Sequence, residues 1–526
     1  MKRSIGILAI FSAVLAFGAP ANPQSDNVGA ITFPTSATGE TQQHFLRGVA
    51  ILHSFGWEQA IEQFQAAQTL DPDFAMAYWG ETLCYNHPLG AQLNPESPRE
   101  VLARLGSTKA ERLAKAPTDR EKGFLNAVEI LWGDGDDVGR RVGYMEAMRR
   151  LQEQYPDDPE VAAFYALSML SAARATGDRS LRLEVRAGTL TLKLLGANPD
   201  HPGAAHYTIH AFDDALHAPL ALDAALRFAE IAPAVAHARH MPTHIFIQHG
   251  MWDYVSNHNQ SAYDAARDPR KPVGTMGDAL HALDWGQYGD LQRGDYAKAR
   301  TWIDRLQTIA EESGHEFGTS VGRIRLGAVG SLVRARYIVE TEEWKVEPIT
   351  EESAANELLA TGLSAARTGD QATVRLAEAA LAKLVEKDVG GGEAQIMHKQ
   401  VGALLHAGMG HGDVATGLMD EALDIVDTMR PPRGPASPIK PPHELYGEIL
   451  LDLDRPADAI EKFETSLSRM PNRPRSLLGL ARAYAQTGNR EKAAAQYETL
   501  VKVWEGLESF EGLQEAKRFL ETTDGR

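Results

Sequence analysis

The strongest constraint on this chain is a period of about 34 residues, written in small side chains, aromatic rings and prolines. Near the C-terminus Gly447, Ala459, Phe463, Ser466 and Pro471 make one unit, and Ala481, Ala493, Tyr497 and Leu500 the next. Ala459 and Ala493 lie one period apart, as do Phe463 and Tyr497, with Gly488 at the turn inside the second unit. Near the start, Gly48, Ala60, Phe64, Ala67 and Pro72 repeat the frame. The pattern has a mechanical reading. Glycine and alanine let two helices of one unit approach, the aromatic ring fills the gap to the next unit, and proline, lacking an N–H, stops the second helix. A unit of this size cannot bury its apolar face alone, so neighbours must stack.

The middle of the chain keeps the frame more loosely. Pro156, Pro199 and Pro233 each follow a helical run, and Pro199 and Pro233 are again one period apart. Gln292 to Asp295, followed by Ala299, Ile303 and Leu306, reads as a turn and a second helix, and Thr368 to Asp370 as a similar turn. No stretch alternates at a period of two, so strands are not expected. These spacings resemble the tetratricopeptide repeat. The resemblance implies an all-α, right-handed superhelical solenoid of stacked helix-turn-helix units, with a concave groove that receives a peptide, a protein or a small ligand. Interruptions divide the array. Residues 340–352 are acidic and carry Pro348, residues 389–392 hold three glycines, and residues 429–442 hold six prolines. We expect an N-terminal array over 41–337 and a C-terminal array over 350–526, the second interrupted by the Pro-rich loop 429–442.

Residues 1–21 read as an address. Lys2 and Arg3 precede an apolar run from Ile5 to Phe17, and Ala19-Pro20-Ala21 offers a cleavage site. The run is too short to span a bilayer, so the expectation is a cleaved signal peptide and a periplasmic or secreted protein of bacterial type, with no membrane span in the mature chain. Lys plus Arg total 53 against 71 Asp plus Glu, a formal charge of −18, which argues against nucleic acid or an anionic bilayer as the main partner. Cys84 is the one cysteine, so an intramolecular disulfide and any multi-cysteine metal centre are excluded.

The histidines follow the repeat. Of the 18, His206 pairs with His240, His210 with His244, His53 with His87, and His281 with His315, each pair separated by one period. Inherited duplication and a shared surface both explain this. His206 and His210, like His240 and His244, are spaced i, i+4, so each pair shares one helix face. In the family this chain resembles, those positions line the groove. His281 and Asp284 join the same stripe when the next unit is aligned through Gly294 and Ala299. Six residues are therefore candidate ligands of a divalent transition metal (Zn, Fe, Mn or Cu): His206, His210, His240, His244, His281 and Asp284. His53, His87, Tyr207 and Trp285 are candidate groove residues. Pro242 either bends the helix beside the paired histidines or starts it. Asp213 and Asp214 read as solvated helix ends, His44 and His443 as core, and His237, His249 and His258 are given no role.

There is no His-Glu-x-x-His, no phosphate-binding glycine loop and no haem-attachment motif. Two readings stay open. The leading one is an exported scaffold whose groove binds a peptide, protein or small ligand. The alternative is a metal-binding protein, with or without an enzymatic activity, although no general base stands out and no reaction class is legible.

Overall fold

The computed structural model describes residues 27–90, 94–268, 274–312, 320–430, 432–504 and 510–524. The leader-like segment 1–21 and His315 lie outside the described residues. Within them the chain is all-α, with no strand, and its helices stack in antiparallel pairs as a right-handed solenoid. None is long and apolar enough to cross a membrane.

The small-residue and aromatic code works as sterics require. Phe64, on the helix Trp57–Leu70, sits between Gly48 of its partner helix and Gly80 of the next unit. A Cβ on Gly48 would stand 2.8 Å from that ring, and one on Gly80 2.3 Å. Phe463 repeats the arrangement near the other end, where Cβ atoms on Gly447 and Gly479 would lie 2.7 Å and 2.2 Å from its ring. Turns follow the same economy. Gly177, Gly294 and Gly369 close their helices in the left-handed region, which a Cβ disfavours.

The chain packs in two large cores. One runs from Val28 to Tyr288 and takes in Ala436 and Met470 from downstream, and the other runs from Ala335 to Ala516. A small cluster that includes Leu283, Trp302 and Val333 bridges them. Ahead of the first helix, Gly39–His53, Phe33 is already buried against Phe45, Trp79 and Phe124. The second core folds back on the first. Arg473 is fully buried at the junction, with Glu444 and Glu340 each 2.7 Å away and the Tyr288 hydroxyl 3.2 Å away. Trp252 and Trp504 donate indole N–H bonds across the same seam, to the carbonyls of Asn472 and Gln292. The Pro-rich segment between the helices Gly412–Asp427 and Pro442–Asp452 lies against the N-terminal half. Ala436 joins the first core, and the Pro432 carbonyl accepts a bond from the Gln248 side chain at 3.1 Å.

Candidate functional site

Four helices bring six imidazoles together. Pro202–Ala211 carries His206 and His210, Ala236–His240 carries His237 and His240, Thr243–Gln248 carries His244, and Met276–Arg293 carries His281. The helical run breaks between His240 and Thr243, where Pro242 precedes the first residue of the next short helix. That break turns His240 and His244 toward different neighbours. His240 lies tilted against His281, ring centres 4.3 Å apart, while His244 meets His210 at 5.8 Å.

The imidazoles form two triples. In each of His206/His210/His237 and His240/His244/His281, one nitrogen per ring lies within 4.8 Å of the other two. Tetrahedral coordination at Zn–N near 2.0–2.1 Å places donor atoms roughly 3.3 Å apart, within reach of modest ring rotations. The triples adjoin, with His237 and His240 ring centres 6.0 Å apart. Each has an aromatic wall. Phe55 lies against His206, His210 and His237, at 4.4, 5.8 and 5.5 Å between ring centres. Trp285 lies against His244, His240 and His281, at 4.3, 5.0 and 5.6 Å. Phe55 holds its place from a left-handed backbone (φ 57°), an unusual conformation for a bulky residue and a mark of local strain.

Hydrogen bonds set the tautomers. His206 Nδ1–H donates to the His53 carbonyl at 2.7 Å, and His244 Nδ1–H to Asp213 Oδ2 at 2.7 Å. His240 Nδ1–H donates to Asn259 Oδ1 at 2.6 Å, and Asn259 is oriented by its own amide bond to the Val255 carbonyl. In each ring the second nitrogen, Nε2, is left with a lone pair. The Nε2 atoms of His206, His210, His237 and His240 are buried without a hydrogen-bond partner. Burial holds His206 down at about 3. Burial, reinforced by neighbouring imidazoles, keeps His210, His237 and His240 well below the ordinary histidine value, so these rings are neutral at pH 7. Four buried, unpartnered ring nitrogens in one place form an uncommon arrangement, since each unmade bond costs about 1–3 kcal/mol. Neutral imidazoles with the second nitrogen tied to a carbonyl or carboxylate are the form in which histidine binds metal.

Several residues stand where the sequence did not place them. Asp284 is not part of either triple. Its carboxylate lies 2.7 Å from the buried Arg336 guanidinium, because the helix Ser320–Thr341 delivers a cation to that face. His53 and Tyr207 are fully buried, not on a groove wall. The Tyr207 hydroxyl donates to His53 Nδ1 at 2.9 Å, and His53 Nε2–H donates to Glu160 at 2.8 Å. His201 accepts the Ala204 N–H at the helix start and faces the other Glu160 oxygen at 3.3 Å. Burial pushes the Glu160 carboxyl up, but His201 and His53 outweigh it and hold it at about 2. His53, Glu160 and His201 also meet the spacing of a ligand set; His53 is bonded at both ring nitrogens, whereas His201 Nε2 and Glu160 Oε1 make no hydrogen bond. His87 is exposed beside Trp57, so the pair His53 and His87 shares no surface. Asp213 and Asp214 are buried, Asp213 on His244 and Asp214 on His217, and are not solvated helix ends. His237 lies one turn before the repeating position, so the repeat register gives it no role. Its i, i+3 spacing to His240 was the available signal.

The tetratricopeptide repeat family matches residues 450–503. No curated protein matches the chain in sequence. Among solved structures, the chain is similar to the Cut9–Hcn1 hetero-tetramer of the APC/C at 12% identity and TM-score 0.32, covering 93% of this chain and 78% of that one. It is similar to yeast Tom70 at 12% and 0.27, covering 92% and 90%. Human IFIT1, solved as a dimer with m7Gppp-AAAA, gives 13% and 0.33, covering 93% and 91%. At such TM-scores these likenesses carry no further argument. Residues 450–503 are thus a tetratricopeptide-repeat segment, and the same Gly–Phe–Gly contact between helix pairs recurs near the other end of the chain.

Proposed function

We propose that this chain is a metal-binding repeat protein, in which the solenoid serves as the frame for a six-imidazole centre. A repeat fold of this kind is in general an interaction scaffold. The observation that favours the finer reading is the set of four buried, neutral, unpartnered Nε2 atoms at His206, His210, His237 and His240. A groove that only hydrogen-bonds a ligand does not need three of its nitrogens converging within 4.8 Å, twice over. With Asp284 paired elsewhere, the donors are all imidazole nitrogens. Such a set suits Zn²⁺, Cu²⁺ or Fe²⁺ and disfavours Mn²⁺, which prefers oxygen. Three histidines per ion leave a further coordination position, the arrangement of a catalytic rather than a closed structural site. Export to the periplasm or beyond is part of the proposal and rests on residues 1–21 alone.

The test is elemental analysis of untagged protein, as purified and after reconstitution with Zn²⁺ or Cu²⁺. Wild type is expected to hold a stoichiometric transition metal, and both His206→Ala/His240→Ala and His237→Ala are expected to lose at least half of it while keeping the helical circular-dichroism spectrum. Protein that stays metal-free after reconstitution would falsify the reading and leave the scaffold function standing.

A further inference from the structure

Phe55 and Trp285 close two sides of the imidazole centre, but a third is open. A cavity of about 190 Å³ reaches it there, and its lining includes His210 from one triple and His244 from the other. Whatever enters meets an imidazole of each triple at once. Asp213 lies beside them, already bonded to His244.

Beside Leu89 and Leu170, the rest of the wall is charged and mostly cationic. Arg174 comes from the helix Pro159–Thr176, and Arg430 and Arg433 come from the Pro-rich segment that packs back on the N-terminal half. One carboxylate answers them: Glu184, 2.9 Å from Arg430 and 3.7 Å from Arg433. Counting Asp213, three guanidinium groups face two carboxylates, and the second carboxylate is engaged by a histidine. A local surplus of positive charge is notable in a chain of formal charge −18. Arg430 Nη2 is buried without a hydrogen-bond partner. Burial, with Arg433 and Arg430 close by, holds the Arg174 guanidinium below its usual value, which shows how closely the three cations are gathered.

We propose that this cavity is the port of the centre and takes a small oxyanion, a phosphate or a simple carboxylate, clamped by Arg430 and Arg433 with an oxygen turned to the seam between His210 and His244. The inference rests on the metal reading, since that oxygen is the donor for the coordination position the three-histidine sites leave open. Its chemistry follows from the wall. Guanidinium forks match the paired oxygens of a carboxylate or phosphate, whereas a cation is repelled and a peptide is too large for about 190 Å³. The Pro-rich segment supplies two of the three arginines, so the C-terminal half completes a site whose ligands all lie in the N-terminal half.

The experiment uses the full chain loaded with Co²⁺, its visible spectrum read while inorganic phosphate or, separately, acetate is added. Wild type should show a saturable spectral change with at least one of the two, and which of them acts identifies the source. Arg430→Met/Arg433→Met should require at least about tenfold more anion, the loss of one charge-assisted contact. An unchanged spectrum with both anions, or wild-type affinity in the double variant, overturns the port. If wild type holds no cobalt, the metal reading fails separately. Calorimetry of phosphate with the metal-free protein then decides, with heat present in wild type and lost in the variant supporting the port and no heat in either rejecting it. Should the double variant unfold, the single substitution Arg433→Met, at a half-buried position, carries the same comparison.

Discussion

Residues 202–285 and residues 442–503 share one packing rule and handle buried polarity in opposite ways. In the C-terminal stretch the helices are regular, 11 to 14 residues long, and its buried charges are matched: Arg473 with Glu444 and Glu340, Lys440 with Glu444 and Glu448. In the histidine stretch two helices shrink to 5 and 6 residues, and four ring nitrogens are buried with nothing to bond. Stability alone explains the first arrangement. The second is destabilising unless something binds there, which is why the difference points to a site.

The largest effect should come from breaking the matched side. Arg473→Met leaves Glu340 buried without its cation and Glu444 with Lys440 alone, and should cost about 3–5 kcal/mol in urea unfolding. A loss under about 1 kcal/mol, the scale of an exposed pair, would mean the two cores are not held by this network.

Acid should damage the histidine stretch more. In metal-free protein an unfolded histidine takes up a proton near pH 6.5, while folded His206 does so only near 3. Between those values the unfolded chain binds more protons, so stability is full above about 6.5 and is lost as pH falls, at about 1.4 kcal/mol per pH unit for each such ring. His443, held at about 4 chiefly by burial, contributes one share of the same sign from the C-terminal stretch. Unfolding midpoints at pH 7 and pH 5 in the presence of a chelator should therefore flatten more in His206→Gln/His240→Gln than in His443→Gln. Equal slopes would remove the contrast.

A smaller effect tests what the two halves share. Gly479→Ala drives a Cβ to 2.2 Å from the Phe463 ring, and Gly80→Ala one to 2.3 Å from Phe64. Each should lower stability by about 1–3 kcal/mol through overpacking, by similar amounts at the two ends. A null result at one end, read by thermal melting, would show that the repeat contact is slack there. The smallest expected effect is on metal content. Asp284→Asn should leave it unchanged, because that carboxylate serves Arg336. Loss of metal in this variant would restore Asp284 to the ligand set.

Much was legible in advance. The repeat pitch identifies helix pairs, and the i, i+4 spacing puts His206 with His210 on one face, because the helical period relates neighbours along one helix; His240 and His244 meet in one triple although the helix breaks between them. What the period cannot encode is the identity of the side chain across the gap. Packing alone sent Asp284 to Arg336, sank His53 and Tyr207 beneath Glu160, brought His237 into the first triple once Pro242 broke the run, and laid Arg430 and Arg433 from far downstream over the mouth of the centre. Contacts within a helix depend on spacing along one chain. Contacts between helices depend on how whole elements stack, and that is settled only when both cores are buried together.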